Sequence, residues 1–420
     1  MRNTFKLALR GLLRNRRRSM MTLLAIALGF AAISLFAGYT HNVYDGLERQ
    51  SIHSELLGHL TLSKRGMSKE GKLDPEKYML SAADVVRITK IVQQEAHVKL
   101  VAPRLSLSGL ISNGRASTIF IAEGISPEAM QALQAGVLTE EEERTGMYAD
   151  IIKKLDQEHP ESALISFGLA DMLHLKKGGQ ASVMTSTLSG QANALDITVE
   201  NTFNTGNAGS NDKFSFMSLS LAQTLYDTNG AADRLTVLLD DVTQTEIMRD
   251  RLLEKLRAAG FDMEIKTWQD LSDFYNQVHN MFDMIFGFIF SIVLTVVVMS
   301  VANSMGMTVV ERTREIGTLR AIGLKRGGVV KLFATESLML TLLGCIAGLL
   351  MTLGVRYGIN VAHISYTPPN SASATPLLVD VDFYRTTFTL ALMMVVGTLA
   401  AYLPARRAAK QAIIDALGHV

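Results

Sequence analysis

The sequence predicts an α-helical membrane protein with four transmembrane helices and a large α+β domain between helices 1 and 2. Three observations carry this prediction. Hydrophobic residues are 48% of the 420 and charged residues only 19%, with mean hydropathy +0.20, whereas soluble domains carry about 25% charge. Four uncharged stretches are each long enough to cross a hydrocarbon core of about 30 Å. About 240 residues of mixed patterning separate the first stretch from the second. A net charge of +1 leaves no basic excess to neutralise phosphates, which argues against nucleic acid as a partner. One cysteine, Cys345, excludes an intramolecular disulfide and any CxxC metal or redox site.

The first 18 residues hold seven basic side chains and no acid, and form a basic N-terminus. Residues 19–39 are the first span. Read as a signal peptide, this run is too long and lacks a small-residue cleavage site. Residues 284–310, 332–355 and 386–404 are the other three spans. Between them, 311–331 holds six Lys/Arg, and 405–420 holds three, whereas the short loop 356–385 has two basic and two acidic residues. The positive-inside bias therefore places both termini and the 311–331 segment in the cytoplasm. The long segment 40–283 is outside, and its 23 Lys/Arg against 34 Asp/Glu give it a charge of −11.

Within that exterior segment, Ser106–Ile111, Ser117–Ile121, Ala181–Met184, Ile197–Val199 and Leu235–Leu239 read as short strands. Ser81–Gln94, Leu219–Leu225 and Thr245–Ala259 read as helices. The result is an α+β region with room for two subdomains, large enough for packing alone to hold it. Both its ends look like helical stalks. Leu271, Phe274, Tyr275, Val278, Met281, Phe282 and Ile285 form one apolar stripe running into the second span, and Val43 and Leu47 begin a similar one after the first. Such stripes suit two helices packed on each other or a rigid lever, and the residues alone leave both open.

Catalytic signatures are missing. No GxxxxGK[ST] loop, GxSxG elbow, HExxH pair or EF-hand loop occurs, so the chain is not expected to be an enzyme. No metal ligand set is expected. His53 and His59 lack the spacing of ligands on one helix face and read as surface histidines.

The most informative stretch is Asn303–Gly348. Glu311–Leu324 is an amphipathic helix candidate, with Ile316, Leu319 and Gly323 on one face and Arg312, Glu315 and Arg320 elsewhere; Gly327-Gly328 is expected to end it. Such a helix contacts lipid headgroups or docks a cytoplasmic partner. Glu336 lies near the start of the third span, where a carboxylate needs a partner, and a basic residue of the loop is the expected one. Gly344 and Gly348 form a GxxxG, and Ala25 and Gly29 repeat the idea in the first span; small residues let helix backbones approach in lipid, within one protomer or between two.

Glu311-Arg312-Thr313-Arg314-Glu315-Ile316-Gly317-Thr318-Leu319-Arg320-Ala321-Ile322-Gly323 resembles the FtsX-type permease signature of ABC transporters, in the MacB and LolC/LolE group. Tyr402-Leu403-Pro404-Ala405-Arg406-Arg407-Ala408-Ala409 is similar to that family's ending. Val101-Ala102-Pro103-Arg104, Gly124-Ile125-Ser126-Pro127 and Phe167-Gly168-Leu169-Ala170 resemble its periplasmic core domain. The resemblance covers essentially the whole chain. It implies a permease subunit in a bacterial inner membrane, with the 40–283 domain in the periplasm and the lipid bilayer around the spans. A second permease copy or paralogue would pair with it, and a separate cytoplasmic ATPase dimer would bind ATP and Mg, leaving no cofactor in this chain. The ATPase would dock on the 311–331 coupling helix through Glu311, Arg312, Arg314, Glu315, Gly317, Leu319, Arg320, Ala321, Gly323 and Arg326. Its closure would be transmitted mechanically along stalks that include Leu271, Phe274, Val278 and Phe282.

The substrate follows less directly. Lipoprotein-releasing relatives carry a hairpin that engages a carrier protein, and Thr185–Ala194, with Thr187, Leu188 and Gly190, occupies the corresponding place. Segments around Gly58-His59-Leu60 and Val101–Arg104 also look closer to that group. The expectation is therefore extraction or export of a lipoprotein or other amphiphile, with a periplasmic carrier or adaptor as a further partner. The alternatives are a tripartite efflux pump permease and a signal-transmitting scaffold that controls a cell-wall hydrolase.

Overall fold

A computed structural model of the chain describes residues 16–71, 73–136, 154–156, 158–205, 209–366 and 375–417. Most of the basic N-terminus and part of the 356–385 loop lie outside the described residues. The chain divides into two compact units: one holds residues 16–44, 278–366 and 376–417, and the other is built from 45–277. Helices of eight or more residues are numbered below.

The chain enters along α1 (Arg16–Arg49), which widens into a π turn over Gln50–Ser54. The 45–277 unit then runs β1 (Leu60–Lys64), α2 (Ala82–Gln93), β2 (Val98–Ser112), β3 (Ser117–Ile125), α3 (Pro127–Gln134), β4 (Ser162–Ser166), β5 (Gln180–Ser186), β6 (Ala192–Phe203), β7 (Phe214–Ser218), α4 (Leu219–Tyr226), β8 (Arg234–Leu239), α5 (Thr245–Ala258) and β9 (Met263–Thr267). Side-chain caps fix several helix starts. Ser81, Ser126 and Ser218 accept from the backbone N–H three residues on, satisfying a donor that the helix leaves unpaired.

Strand β2 is long because it serves two sheets. Its first half, through Arg104, pairs with β8, which continues to β1 and β9 as an open antiparallel sheet. From Leu105 onward it pairs with β3 and β5. The order β2-β3-β7-β4-β6-β5-β2 then closes into a six-stranded ring, with β3–β7 and β4–β6 parallel. The ring is filled by Leu107, Phe120, Ile165, Val183, Val199 and Met217. Leu62, Ile88, Val237, Leu252 and Ile265 form a separate core between the open sheet and helices α2 and α5. The five expected strands and the expected helix Leu219–Leu225 fall inside observed elements, and the other two expected helices overrun α2 by one residue at each end and α5 by one residue at its C-terminal end. Strands β1, β4, β7 and β9 were not expected; β4 and β7 are buried runs with little of the alternation that marks a half-exposed strand.

At the switch between sheets sits buried Arg104. It pairs with Glu123 of β3 and donates to the Leu56 carbonyl at 2.6 Å, while Glu123 also accepts from Arg234. His59 is likewise internal, correcting its reading as a surface histidine. It immediately precedes β1, and its Nδ1 accepts from the Leu239 N–H at 3.1 Å. Burial, and then His53 and Lys99 nearby, push its pKa down to about 4.

Among the described residues, four helices are long and apolar enough to cross a membrane: α1, α6 (Asp273–Glu311), α8 (Arg326–Ala362) and α9 (Phe383–Lys410). Helix α7 (Thr313–Ala321) lies between α6 and α8. At 1.5 Å per residue, the 39 residues of α6 run to roughly 58 Å, well beyond a hydrocarbon core. Its apolar stripe begins one turn later than expected. Leu271 ends a short helix, Trp268–Leu271, and Ser272 leaves helical geometry before α6 starts at Asp273. Gly327-Gly328 does not separate the coupling helix from the third span. Both glycines lie in the first turn of α8, and the break falls at Ile322–Lys325, where Gly323 takes φ +104°, a conformation that favours glycine.

Candidate coupling site

Helix α7 is held in place by charge. Arg312 precedes its first residue and is buried. Its Nη1 donates to Glu336 of α8 at 3.1 Å, and its Nε and Nη2 donate to Glu315 of α7 at 3.0 and 3.2 Å. Its guanidinium also lies 5.9 Å from the centre of the Phe333 ring. Burial alone would lower its pKa, but the carboxylates of Glu315 and Glu336 outweigh that and hold it above its ordinary value. One arginine thus joins the end of α6, the start of α7 and the third span, and gives Glu336 the basic loop partner its position requires.

Neighbouring residues extend the brace. Glu311 closes α6 and pairs with Arg18 of α1, one bond being 3.2 Å. Arg320 donates to the Gln411 carbonyl, just before the short helix Ile413–Leu417 that packs on α7. Ile316 is buried in the core of this unit with Val309, Phe333 and Ala405. Gly317 is buried too.

This geometry divides the expected docking residues. Arg312 and Gly317 are internal, and Glu311, Glu315 and Arg320 make ties within the chain, so the charged signature is largely a brace. Arg314, Ala321, Gly323 and Arg326 are exposed and Leu319 is half-buried. Ile322, which the sequence reading left out of the docking set, is 77% exposed. An isoleucine in a loop between charged residues was the available signal.

The membrane helices pack through the predicted small residues, and they do so within one protomer. A Cβ at Gly344 would stand 2.6 Å from Ile26 of α1, and one at Gly348 would stand 2.7 Å from the Ala27 carbonyl oxygen and 3.0 Å from Phe30. A Cβ at Gly29 would stand 2.6 Å from Val293 of α6. An unexpected contact joins α8 to α9, where Ser337 donates to the Gly397 carbonyl at 2.7 Å.

The stripe on α6 also meets α1. Phe282 lies 6.0 Å from Phe36, 5.8 Å from Tyr39 and 6.2 Å from Tyr44, measured between ring centres. Tyr44 stacks on His279 at 4.7 Å. Val278 is half-buried on the same face, whereas Met281 and Ile285 are exposed. Phe274 is half-buried in the first turn of α6.

The β5–β6 hairpin is not a projecting hook. Its tip folds onto the ring: Thr187 is buried, the Leu188 N–H donates to the Tyr226 carbonyl at 3.2 Å, and the Leu188 side chain packs on the ring core. Gly190, at φ +83°, turns the chain at the exposed end. Thr187 is thus internal and Leu188 half-buried beside the end of α4. Among the described residues, no group of three or more His, Cys, Asp or Glu could hold a metal ion.

The MacB-like periplasmic core domain family matches residues 19–255, and the FtsX-like permease C-terminal family matches residues 287–413. A pyoverdine export ATP-binding/permease protein, PvdT, of Pseudomonas entomophila is 31% identical over 176 residues, covering 42% of this chain and 25% of that protein. A macrolide export ATP-binding/permease protein, MacB, of Chromobacterium violaceum is 34% identical over 123 residues, covering 28% of this chain and 17% of that protein. The ABC transporter permease YtrF of Bacillus subtilis is 29% identical over 123 residues, covering 28% of each. The match therefore spans about a quarter of the length of these relatives or less. Among solved structures, the periplasmic region of MacB from Actinobacillus actinomycetemcomitans aligns with TM-score 0.34 and 12% identity, over 52% of this chain and 92% of that one.

Proposed function

This chain belongs to the family of ABC transporter permeases with a MacB-like periplasmic core domain and an FtsX-like C-terminal part, and we propose that it couples a separate cytoplasmic ATPase to export across a bacterial inner membrane. The observation that carries the proposal is helix α7, braced by Arg312 between Glu315 and Glu336 while Arg314, Ala321, Ile322 and Arg326 stay exposed. A rigid short helix with an exposed basic and apolar side suits a docking element that moves as one body with the membrane helices. The ATPase dimer would hold ATP and Mg, and a second permease copy or paralogue would complete the complex. Paired helices α1 and α6, locked by rings around Phe282, would carry the motion outward to the periplasmic domain.

Export of an amphiphilic small molecule is favoured over lipoprotein release. Two of the three named relatives are export proteins, for pyoverdine and for macrolides, and the Thr187–Leu188 tip is packed on the ring. An adaptor is then the more fitting periplasmic partner than a lipoprotein carrier. The test uses Arg314→Glu and Ile322→Asp, singly and together, in the full chain. Both should weaken co-purification of the ATPase while the chain still inserts and folds. Undiminished association in the double variant would place the dock elsewhere.

A further inference from the structure

A cleft of about 520 Å³ opens on the 45–277 unit between the end of β1, the short helix Pro75–Tyr78, α2 and the turn before β9. Its walls carry Lys64, Arg65, Lys77 and Arg87, all exposed, against only Asp84 and Asp262. This is a local excess of positive charge on a segment whose overall charge is −11. Both carboxylates are already occupied. Asp262 pairs with Arg65 at 2.7 Å, and Asp84 accepts from Ser81 Oγ at 2.8 Å in the cap of α2. Glu70, close by, accepts from the Tyr78 hydroxyl.

Among the described residues, none of the other three cations makes an ion pair with a carboxylate, and Glu70 and Asp74 act on Lys77 only from further off. Lys64 donates to the Lys77 carbonyl. The Lys77 ammonium lies 5.0 Å from the centre of the Tyr78 ring, and the Arg87 guanidinium lies 4.9 Å from that of Phe261. Among the described residues no acid lies within ion-pair distance of Lys64, Lys77 or Arg87. Aromatic faces hold cations in place without neutralising them, so the cleft presents positioned positive charge to a ligand. Met79, Leu80 and Met263 line its floor, adding apolar surface beside the charge. The volume suits a small molecule, whose sites run to about 300–1,000 Å³, better than it suits a protein face.

We propose that this cleft binds an amphiphilic organic anion, with its carboxylate or phosphate against Lys64, Lys77 and Arg87 and its carbon skeleton over the apolar floor. Taking that ligand as cargo rests on the export reading above. The binding itself needs neither ATP nor a partner, so its failure would leave that reading standing.

The test titrates the full chain, in nanodiscs of neutral phosphatidylcholine, with octyl phosphate below its aggregation concentration. Octyl glucoside serves as the neutral counterpart and inorganic phosphate as the bare anion. Saturable binding of octyl phosphate is expected, and K64Q/K77Q/R87Q should weaken it by about tenfold or more, equivalent to about 1.4 kcal/mol. K90Q, on the same helix but outside the cleft, should leave it unchanged. R87Q alone, with an unaltered melting temperature, should weaken it several-fold and guards against misfolding of the triple variant. Added salt should weaken binding, as expected for solvent-exposed charges. The proposal fails if octyl phosphate shows no saturable binding or if the triple variant binds it equally well. It fails equally if octyl glucoside or inorganic phosphate binds as tightly as octyl phosphate.

Discussion

Removing Arg312 should be the most damaging single change in the coupling region. Its side chain is 6% exposed, and that of Glu336, which it meets at 3.1 Å, is 2% exposed. Arg312→Met keeps the bulk but takes the guanidinium away from buried Glu336, and breaking such a pair from one side costs about 3–5 kcal/mol. Glu336→Gln is expected to be milder, about 1–3 kcal/mol, because Arg312 keeps two bonds to Glu315, which is 41% exposed and partly hydrated. The double variant R312M/E336Q should then be more stable than R312M alone, since no buried charge remains. The assay is a double-mutant cycle on thermal or denaturant unfolding of the purified full chain in mild detergent. A coupling energy of about 1–3 kcal/mol is expected, within the range for residues in direct contact. If R312M costs less than about 0.5 kcal/mol, or the three effects simply add, the arginine is not the brace described here.

Three further outcomes follow from the geometry. Gly348→Leu should destabilise the chain by about 1–3 kcal/mol through overpacking against Ala27 and Phe30, whereas Gly354→Leu, with nothing within 4 Å, should change the unfolding midpoint little. Val278→Pro interrupts α6 and costs roughly 3 kcal/mol locally; the complex should still assemble and hydrolyse ATP but stop delivering substrate, Val278→Ala should be milder, and normal transport by the proline variant would reduce the stalk to a tether. His59 binds a proton near pH 6.5 when unfolded and near 4 when folded, so stability should fall as pH drops through that window, by up to about 3 kcal/mol; His59→Gln should flatten the profile in pH-dependent melts, and an unchanged slope would show that His59 is not the group responsible.

Much of this architecture was legible in the residues. Uncharged runs and flanking arginines marked the four helices, and alternation in Gln180–Ser186 marked β5. Gly344 and Gly348 announced a close helix contact, though only the packing against Ile26 and Phe30 shows that it lies within one protomer. The closed ring was not legible, because its parallel pairs β3–β7 and β4–β6 join distant segments whose buried strands carry little alternation. Arg312 was misread for a related reason. A charged run in a loop looks solvent-facing, and only the approach of Glu336, 24 residues on, turns that arginine inward. The same fold-back explains why charge reversal at Glu311 or Glu315 would not test docking: it would first disturb their ties to Arg18 and Arg312.

The central claim is that the chain moves with ATP hydrolysis but does not perform it. The direct measurement is ATP turnover by the purified chain in nanodiscs, alone and after addition of its ATPase. The account predicts no turnover alone. It predicts turnover with the ATPase present, and a drop when Arg314→Glu and Ile322→Asp are combined. Appreciable turnover by the chain alone would contradict it.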